Sequence, residues 1–180
     1  YEGVDLEMVV HDLAAMCGLN VPKAEAVKFS KLGTTFLVKR FDRDGEKRIH
    51  FSSAMTMLGK MDGANASDGS RYLEIASFLK ANGAKPQRDL QELWKRIVFS
   101  MAVSNTDDHF RNHGFILSDT GWELSPLYDV NPDISGEYLS LNVDKDNSSI
   151  DFSLAISAAP FYGVEEKKAV ETVRSIASTV

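Results

Sequence analysis

Residues 104–112 read SNTDDHFRN, a run in which only Phe110 is clearly apolar, placed directly after the most strongly apolar-faced helix pattern in the chain. Two adjacent carboxylates, a histidine and flanking asparagines are an oxygen-rich set. Such side chains hold hard divalent cations or handle protons, and Mg²⁺ in particular takes one or two carboxylates and completes its shell with water and phosphate oxygens. A third acid stands further on, at Asp129 in LSPLYDVNP. If Asp107, Asn112 and Asp129 meet, the chemistry they fit is phosphoryl transfer, in which one acid orients the attacking hydroxyl while an amide and a second acid hold metal against the nucleotide phosphates.

What lies between these residues predicts that they meet. His113–Leu117 and Trp122–Leu127 alternate like strands, and Ser118–Gly121 between them is a turn, so the chain goes out and returns over arms of similar length. That hairpin carries Asp129 back beside Asn112. The D-x-x-x-x-N spacing from Asp107 to Asn112 is also the spacing of a protein-kinase catalytic loop, a weak signal alone that the hairpin strengthens. The same residues admit other readings. Asp, Asn and Thr hydrogen-bond their own backbone in loops and caps, and Asp107, Asp108, His109 and Asp129 around two cations would suit a metal-dependent phosphoesterase. His11, His50, His113 and Cys17 show no zinc-ligand spacing.

The elements that must position the cluster follow from periodicity. Leu6, Val9, Val10, Leu13, Met16 and Cys17 form a first helix closed by Gly18 and Pro22. Three β-favouring runs between Ala24 and Phe51 suggest a short antiparallel sheet. A short helix near Ser53–Leu58 leads into GKMDGANASDGS, whose polar, glycine-rich composition predicts a mobile loop over Gly59–Ser70, after which Ser70 caps a helix over Tyr72–Leu79. Leu90, Leu93, Trp94, Ile97, Val98, Met101 and Ala102 define a core helix from about Arg88 to Val103, and Ala169, Val170, Val173 and Ile176 a last one over Glu165–Ser178.

Composition bounds the classes. With 180 residues, 43% hydrophobic, the chain buries one sizeable core or two small lobes, and a net charge of −6 without a basic stripe argues against direct nucleic-acid binding. One cysteine suits a reducing compartment, with the cytoplasm as default, and no apolar run approaches a membrane span.

Taken together, NTDDHFRNHGF and LSPLYDVNP, preceded by FLVKRFDR, resemble the HipA family of serine/threonine kinase toxins, and the likeness runs from CGLNVP through HFSSA to LSLNV. The resemblance implies an α+β, mostly helical kinase-like large lobe over residues 44–180, with the last helix and strands of a small lobe in residues 1–43. It implies ATP and Mg²⁺ as cofactors, Asp107 as the acid-base group, His109 beside the phosphates, and Asn112 and Asp129 as metal ligands. Phe36–Phe41 would run into the hinge, with Lys39 and Phe41 flanking the adenine and Asp42 shaping the pocket. A protein hydroxyl is the implied substrate and a helix-turn-helix antitoxin the implied partner. A phosphate-covering loop and its lysine are missing from the sequence, as is an HRD before Asp107; Glu7 stands where such a lysine's partner would. The chain is therefore expected to be a carboxy-terminal part of a kinase, or else a non-catalytic nucleotide- or partner-binding lobe.

Overall fold

The computed structural model describes residues 3–31, 33–133 and 135–180, without the side chains of residues 3–5. A helix α1 (Gly3–Met16) opens the chain and packs on a two-stranded antiparallel sheet of β1 (Ala24–Ser30) and β2 (Gly33–Val38), paired from Ala24 opposite Val38. Gly18 ends α1 with φ of 71°, its N–H bonded to Ala15 O and the Leu19 N–H to Ala14 O. This left-handed cap is what a glycine after a helix supplies at least steric cost. The helix's apolar stripe is only partly covered: Val10 and Ala14 are buried, but Leu6, Val9 and Met16 are exposed, because a single narrow hairpin lies against it.

A tight ribbon, β3 (Arg43–Asp44) and β4 (Lys47–Arg48), turns through Gly45 and leads to β5 (Phe51–Ser53). The sequence places β5 with the preceding strands, but it leaves them. It pairs instead with β6 (Gly114–Ser118), which pairs in turn with β7 (Gly121–Leu124). Phe115, buried on the central strand against the Phe78 ring, explains the preference, since β5 alone could not bury a face. The hairpin turn is as expected, with Ser118 opposite Gly121.

The remaining helices are α2 (Ala54–Met57), α3 (Tyr72–Asn82), α4 (Pro86–Ala102), α5 (Phe152–Ala158) and α6 (Glu166–Thr179). Helix α4 starts two residues earlier than the apolar stripe suggests, because Pro86 suits the first helical turn. It is the hub, touching α3, α5, α6 and β7. Leu93, Trp94, Ile97, Val98 and Phe99 are fully buried on it, and Trp94 Nε1 donates to Ala155 O at 2.8 Å. Two charged residues are buried with them. Asp89 accepts the Leu124 N–H at 2.9 Å, and Arg96 donates to Glu92 (3.0 Å) and to Ser125 O (2.8 Å), which fastens the hairpin's return arm to the helix. Ser70 precedes α3 without capping it; the Glu74 carboxylate accepts the Arg71 N–H instead. Among the described residues no helix is long and apolar enough to cross a membrane.

Candidate active site

Helix α4 delivers the polar cluster. It ends with Ser104 at φ of 54°, the Ser104 N–H bonded to Met101 O (3.3 Å) and the Asn105 N–H to Ser100 O (2.8 Å). This is the same cap that Gly18 makes for α1, but on a residue that pays a modest steric cost for it. The loop that follows is tightened by the His109 N–H on Asp107 O and the Asn112 N–H on His109 O. Phe110 is its one buried apolar anchor, beneath the Lys60 ammonium.

Asn112 closes the arrangement. Its side-chain NH₂ donates to the Asp107 carbonyl at 3.0 Å and toward the Asp129 carbonyl at 3.4 Å, so one buried amide clasps the loop and the far foot of the hairpin. Further ties hold the second segment: Asn131 N–H to Asn105 Oδ1 at 3.4 Å and Asp133 N–H to Ser104 O at 2.7 Å. Asp129 itself has φ of 56°, and its Oδ1 accepts from the Asn131 side chain at 3.0 Å. The backbones of Asp107 and Asp129 thus meet at the Asn112 side chain, through their carbonyls and not through their carboxylates.

The adjacent acids face opposite ways. The Asp107 side chain is 81% exposed, with His109 Nε2 3.8 Å from its Oδ1. Asp108 is buried, accepts the Tyr72 hydroxyl at 2.8 Å and the Ser100 hydroxyl at 3.3 Å, and lies 3.0 Å from His113 Nε2. Burial pushes the Asp108 carboxyl up, but His113, Tyr72 and Ser100 outweigh it and hold it below the usual carboxylate range. Burial, reinforced by this same carboxylate, drives the Tyr72 phenol well above its ordinary value. Asp108 is therefore a structural anchor and drops out of the two-cation phosphoesterase arrangement. Among the described residues no three His, Cys, Asp or Glu side chains are grouped to hold a metal by themselves.

Other residues singled out from the sequence lie further apart. His109 Nε2 is 3.2 Å from Arg111 Nη2, which makes Nε2 the acceptor. Lys39 is exposed, and its backbone N–H bonds Lys23 O just beyond β2. Phe41 packs against Phe51 and Tyr128, with ring centroids 5.6 and 5.8 Å away, and so reaches Asp129 through its neighbour. The Asp42 carboxylate is held by Arg40 through two hydrogen bonds of 2.8 and 2.6 Å, and that partnership lowers its pKa. An apolar cavity of about 350 Å³ reaches Asp129 and Tyr128, but its walls are Glu7, Val10 and His11 of α1 with Phe36 and Val38 of β2, not Lys39, Phe41 or Asp42.

Two features escaped the sequence. Arg111 bridges the loop to Asp62 at 2.7 Å. The segment 59–70, expected to be mobile, is instead built: Asn65 caps a short 3₁₀ turn (Ala66–Asp68), the Ala66 N–H bonds Ser140 O at 2.7 Å, and Asn142 donates to Ala66 O at 3.0 Å. Its Asn-x-x-Asp capping pattern, Asn65 to Asp68, was the available signal.

The fold is kinase-like, shared with solved HipA and CtkA structures. The chain belongs to the HipA-like C-terminal domain family, whose match covers residues 2–180. It is 28% identical over 142 residues to the serine/threonine-protein kinase toxin HipA of Shewanella oneidensis, covering 69% of this chain and 33% of that one. A Shewanella oneidensis HipA structure, solved with HipB and its operator DNA, superposes with a TM-score of 0.82 at 22% identity over 99% of this chain and 47% of that one. The Helicobacter pylori proinflammatory kinase CtkA gives 0.63 at 12% identity, over all of this chain and 84% of that one. The chain spans about a third of the length of the curated relatives it matches.

Proposed function

We propose that these residues form the catalytic large lobe, with the adjoining part of the small lobe, of a HipA-like serine/threonine protein kinase that transfers the γ-phosphate of ATP to a protein hydroxyl. Residues 1–43 are assigned to the small lobe and hinge, and residues 44–180 to the large lobe. The observation that carries this reading is the Asn112 clasp on the carbonyls of Asp107 and Asp129. It brings the backbones of an exposed acid and a second acid to either side of one amide, which supports the layout that phosphoryl transfer uses.

In this reading the exposed Asp107 carboxylate aligns the acceptor hydroxyl. His109 stands beside the phosphates. The nitrogen of Asn112 is engaged with carbonyls, which leaves its oxygen, together with the Asp129 carboxylate, as ligand atoms for Mg²⁺; when bound, the ion neutralises phosphate charge. Such a donor set of one carboxylate and one amide fits a cation that also takes phosphate oxygens, and not one held by protein alone. Lys39 and Phe41 are assigned to the adenine and Asp42 to the shape of the nucleotide pocket by the family resemblance, although none of the three lines the cavity that reaches Asp129. An antitoxin partner is inferred from the HipB complex of the Shewanella protein.

The test uses the intact polypeptide carrying these residues. Asp107→Ala should cut transfer by roughly 10²- to 10⁴-fold, the usual loss with an acid-base group, while Mg·ATP binding persists. Asp129→Asn, which retains a side chain tolerant of positive φ, should weaken Mg·ATP binding as well. Normal transfer in both variants would remove the cluster from the chemistry.

A further inference from the structure

Arg111, next to Asn112, lines a cavity of about 430 Å³ together with Asp62, Asp107 and His109, and it is the one lysine or arginine among the described residues that does so. Its root is fixed. The Tyr128 hydroxyl donates to the Arg111 carbonyl at 2.6 Å, and Tyr128 is the neighbour of Asp129. Its head is shared between two partners: Nη1 lies 2.7 Å from Asp62 Oδ1, and Nη2 lies 3.2 Å from His109 Nε2. The same Nε2 is 3.8 Å from Asp107 Oδ1, so the guanidinium stands one ring nitrogen away from the Asp107 carboxylate.

The Asp62 contact holds this guanidinium without committing it. The two side chains are 49% and 71% exposed, and water screens an ion pair so open to solvent. Asp62 also accepts the Gly63 N–H at 3.1 Å, so its carboxylate keeps its place on its own loop when the arginine departs. A guanidinium presents a planar fork of donors that matches two oxygens of a carboxylate or of a phosphoryl group equally well. Asp62 therefore occupies a place that a phosphoryl group can take. In the kinase reading the γ-phosphate must lie between the cation held by Asn112 and Asp129 and the hydroxyl aligned by Asp107. Arg111 is rooted beside the first of these and reaches toward the second. His109 cannot substitute for it there, because its Nε2 accepts from Arg111 and its Nδ1 is buried.

Building on the kinase reading, we propose that Arg111 is a catalytic residue of the transfer. Its guanidinium leaves Asp62 and holds two oxygens of the phosphoryl group in flight, and Asp62 is the resting counter-ion that takes it back. In that step the acceptor hydroxyl oxygen forms a bond to the γ-phosphorus of ATP, the bond to the bridging oxygen breaks, ADP leaves with that electron pair, and the hydroxyl proton passes to the Asp107 carboxylate. Arg111 gives and takes no proton; it balances the charge spread over the phosphoryl oxygens.

Arg111→Gln and Asp62→Asn break the same ion pair, which makes the two variants the test in the intact polypeptide. If the pair only tied the loop to segment 59–70, both would behave alike. The proposal makes them diverge. The first readout is the affinity for Mg·ADP with and without aluminium fluoride, a mimic of the phosphoryl group in flight. Wild type and Asp62→Asn should bind Mg·ADP more tightly when the fluoride is present, and Arg111→Gln should lose that gain while binding Mg·ADP itself as wild type does. The second readout is transfer from Mg·ATP to casein or to water. Arg111→Gln should lower kcat by roughly 10³-fold, the scale of an arginine placed on a transferring phosphoryl group, with the KM for ATP unchanged, whereas Asp62→Asn should keep or raise kcat. Equal behaviour of the two variants, a fluoride gain absent from wild type or kept by Arg111→Gln, or loss of Mg·ADP binding in Arg111→Gln would overturn the assignment. A wild-type protein that neither binds Mg·ADP nor transfers phosphate would instead sink the kinase reading beneath it.

Discussion

Replacing each of the two adjacent acids by alanine should give opposite phenotypes, and the structure sets the size of the difference. Asp108→Ala removes a fully buried carboxylate and orphans what it held: the Tyr72 hydroxyl, the Ser100 hydroxyl and the His113 ring, all buried. Breaking one side of a buried charged network typically costs about 3–5 kcal/mol. In a chain of this size 1 kcal/mol moves Tm by about 2–4 °C, so a fall of roughly 6–20 °C is expected. Asp107→Ala, on an exposed side chain with no hydrogen-bonded partner among the described residues, should stay within about 0.5 kcal/mol of wild type. Urea unfolding of the 180-residue chain, fitted with a common m-value, measures both. The pH dependence gives a second handle. Because the folded-state pKa of Asp108 is lowered, its contribution is present above the unfolded value near 3.9 and is lost as pH falls through the lower folded value. The stability gap between wild type and Asp108→Asn should therefore narrow below about pH 4. An Asp108→Ala protein within about 1 kcal/mol of wild type, or an Asp107→Ala protein destabilised equally, would refute the assignment of inward and outward acids.

Two further outcomes are expected. Asn142→Ala deletes a buried donor to Ala66 O (3.0 Å), and amide exchange at residues 66–69 should accelerate by about tenfold while α4 stays protected, the loss of one net hydrogen bond of about 1–1.5 kcal/mol; unchanged exchange would mean that the loop is held by something else. Gly114→Ala places a Cβ into the Phe51 ring and 3.2 Å from the Tyr128 hydroxyl, so overpacking should cost about 1–3 kcal/mol and change the near-ultraviolet dichroism of the Phe41–Phe51–Tyr128 group; a neutral variant would show that those rings have room to move.

What was legible in the sequence is what depends on period and on turn chemistry. The α4 stripe, the two-residue hairpin turn and the return of Asp129 to Asn112 all follow from spacing, and all are present. The facing of Asp107 and Asp108 was not legible. A polar loop has no period to separate inside from outside, and the partner that pulls Asp108 inward, Tyr72, is 36 residues away. Segment 59–70 misled for a related reason. Its composition is that of a free loop, but the groups that pin it, Ser140 and Asn142, arrive from a distant part of the chain, Asn142 from 76 residues on. The buried Arg96 and Asp89 sit on a helix whose pattern elsewhere reads as amphipathic; Glu92 and Arg88 of the same helix pair with them, and the hairpin adds the Ser125 carbonyl and the Leu124 amide from beyond the reach of local sequence.

The residue type at position 112 has a physical reason that spacing alone does not give. A carboxylate there would add charge for a cation, yet it would face two carbonyl oxygens, Asp107 O and Asp129 O, with no proton to offer either. A lysine or arginine would donate to both carbonyls but bring a positive charge to the place proposed for Mg²⁺. An amide does both jobs, with its NH₂ toward the protein and its oxygen left for a ligand. The backbone around it is committed in the same sense: Ser104 and Asp129 both take left-handed conformations, and Asn105 and Asn131 fill the space between the two segments with further hydrogen bonds. Two non-glycine residues in that region of φ, joined by asparagines that accept and donate across the gap, form a frame rooted in the end of α4 and the foot of the hairpin. The position of the exposed Asp107 is thereby inherited from the buried core helix, which is how a loop with almost no apolar residues of its own acquires a fixed geometry.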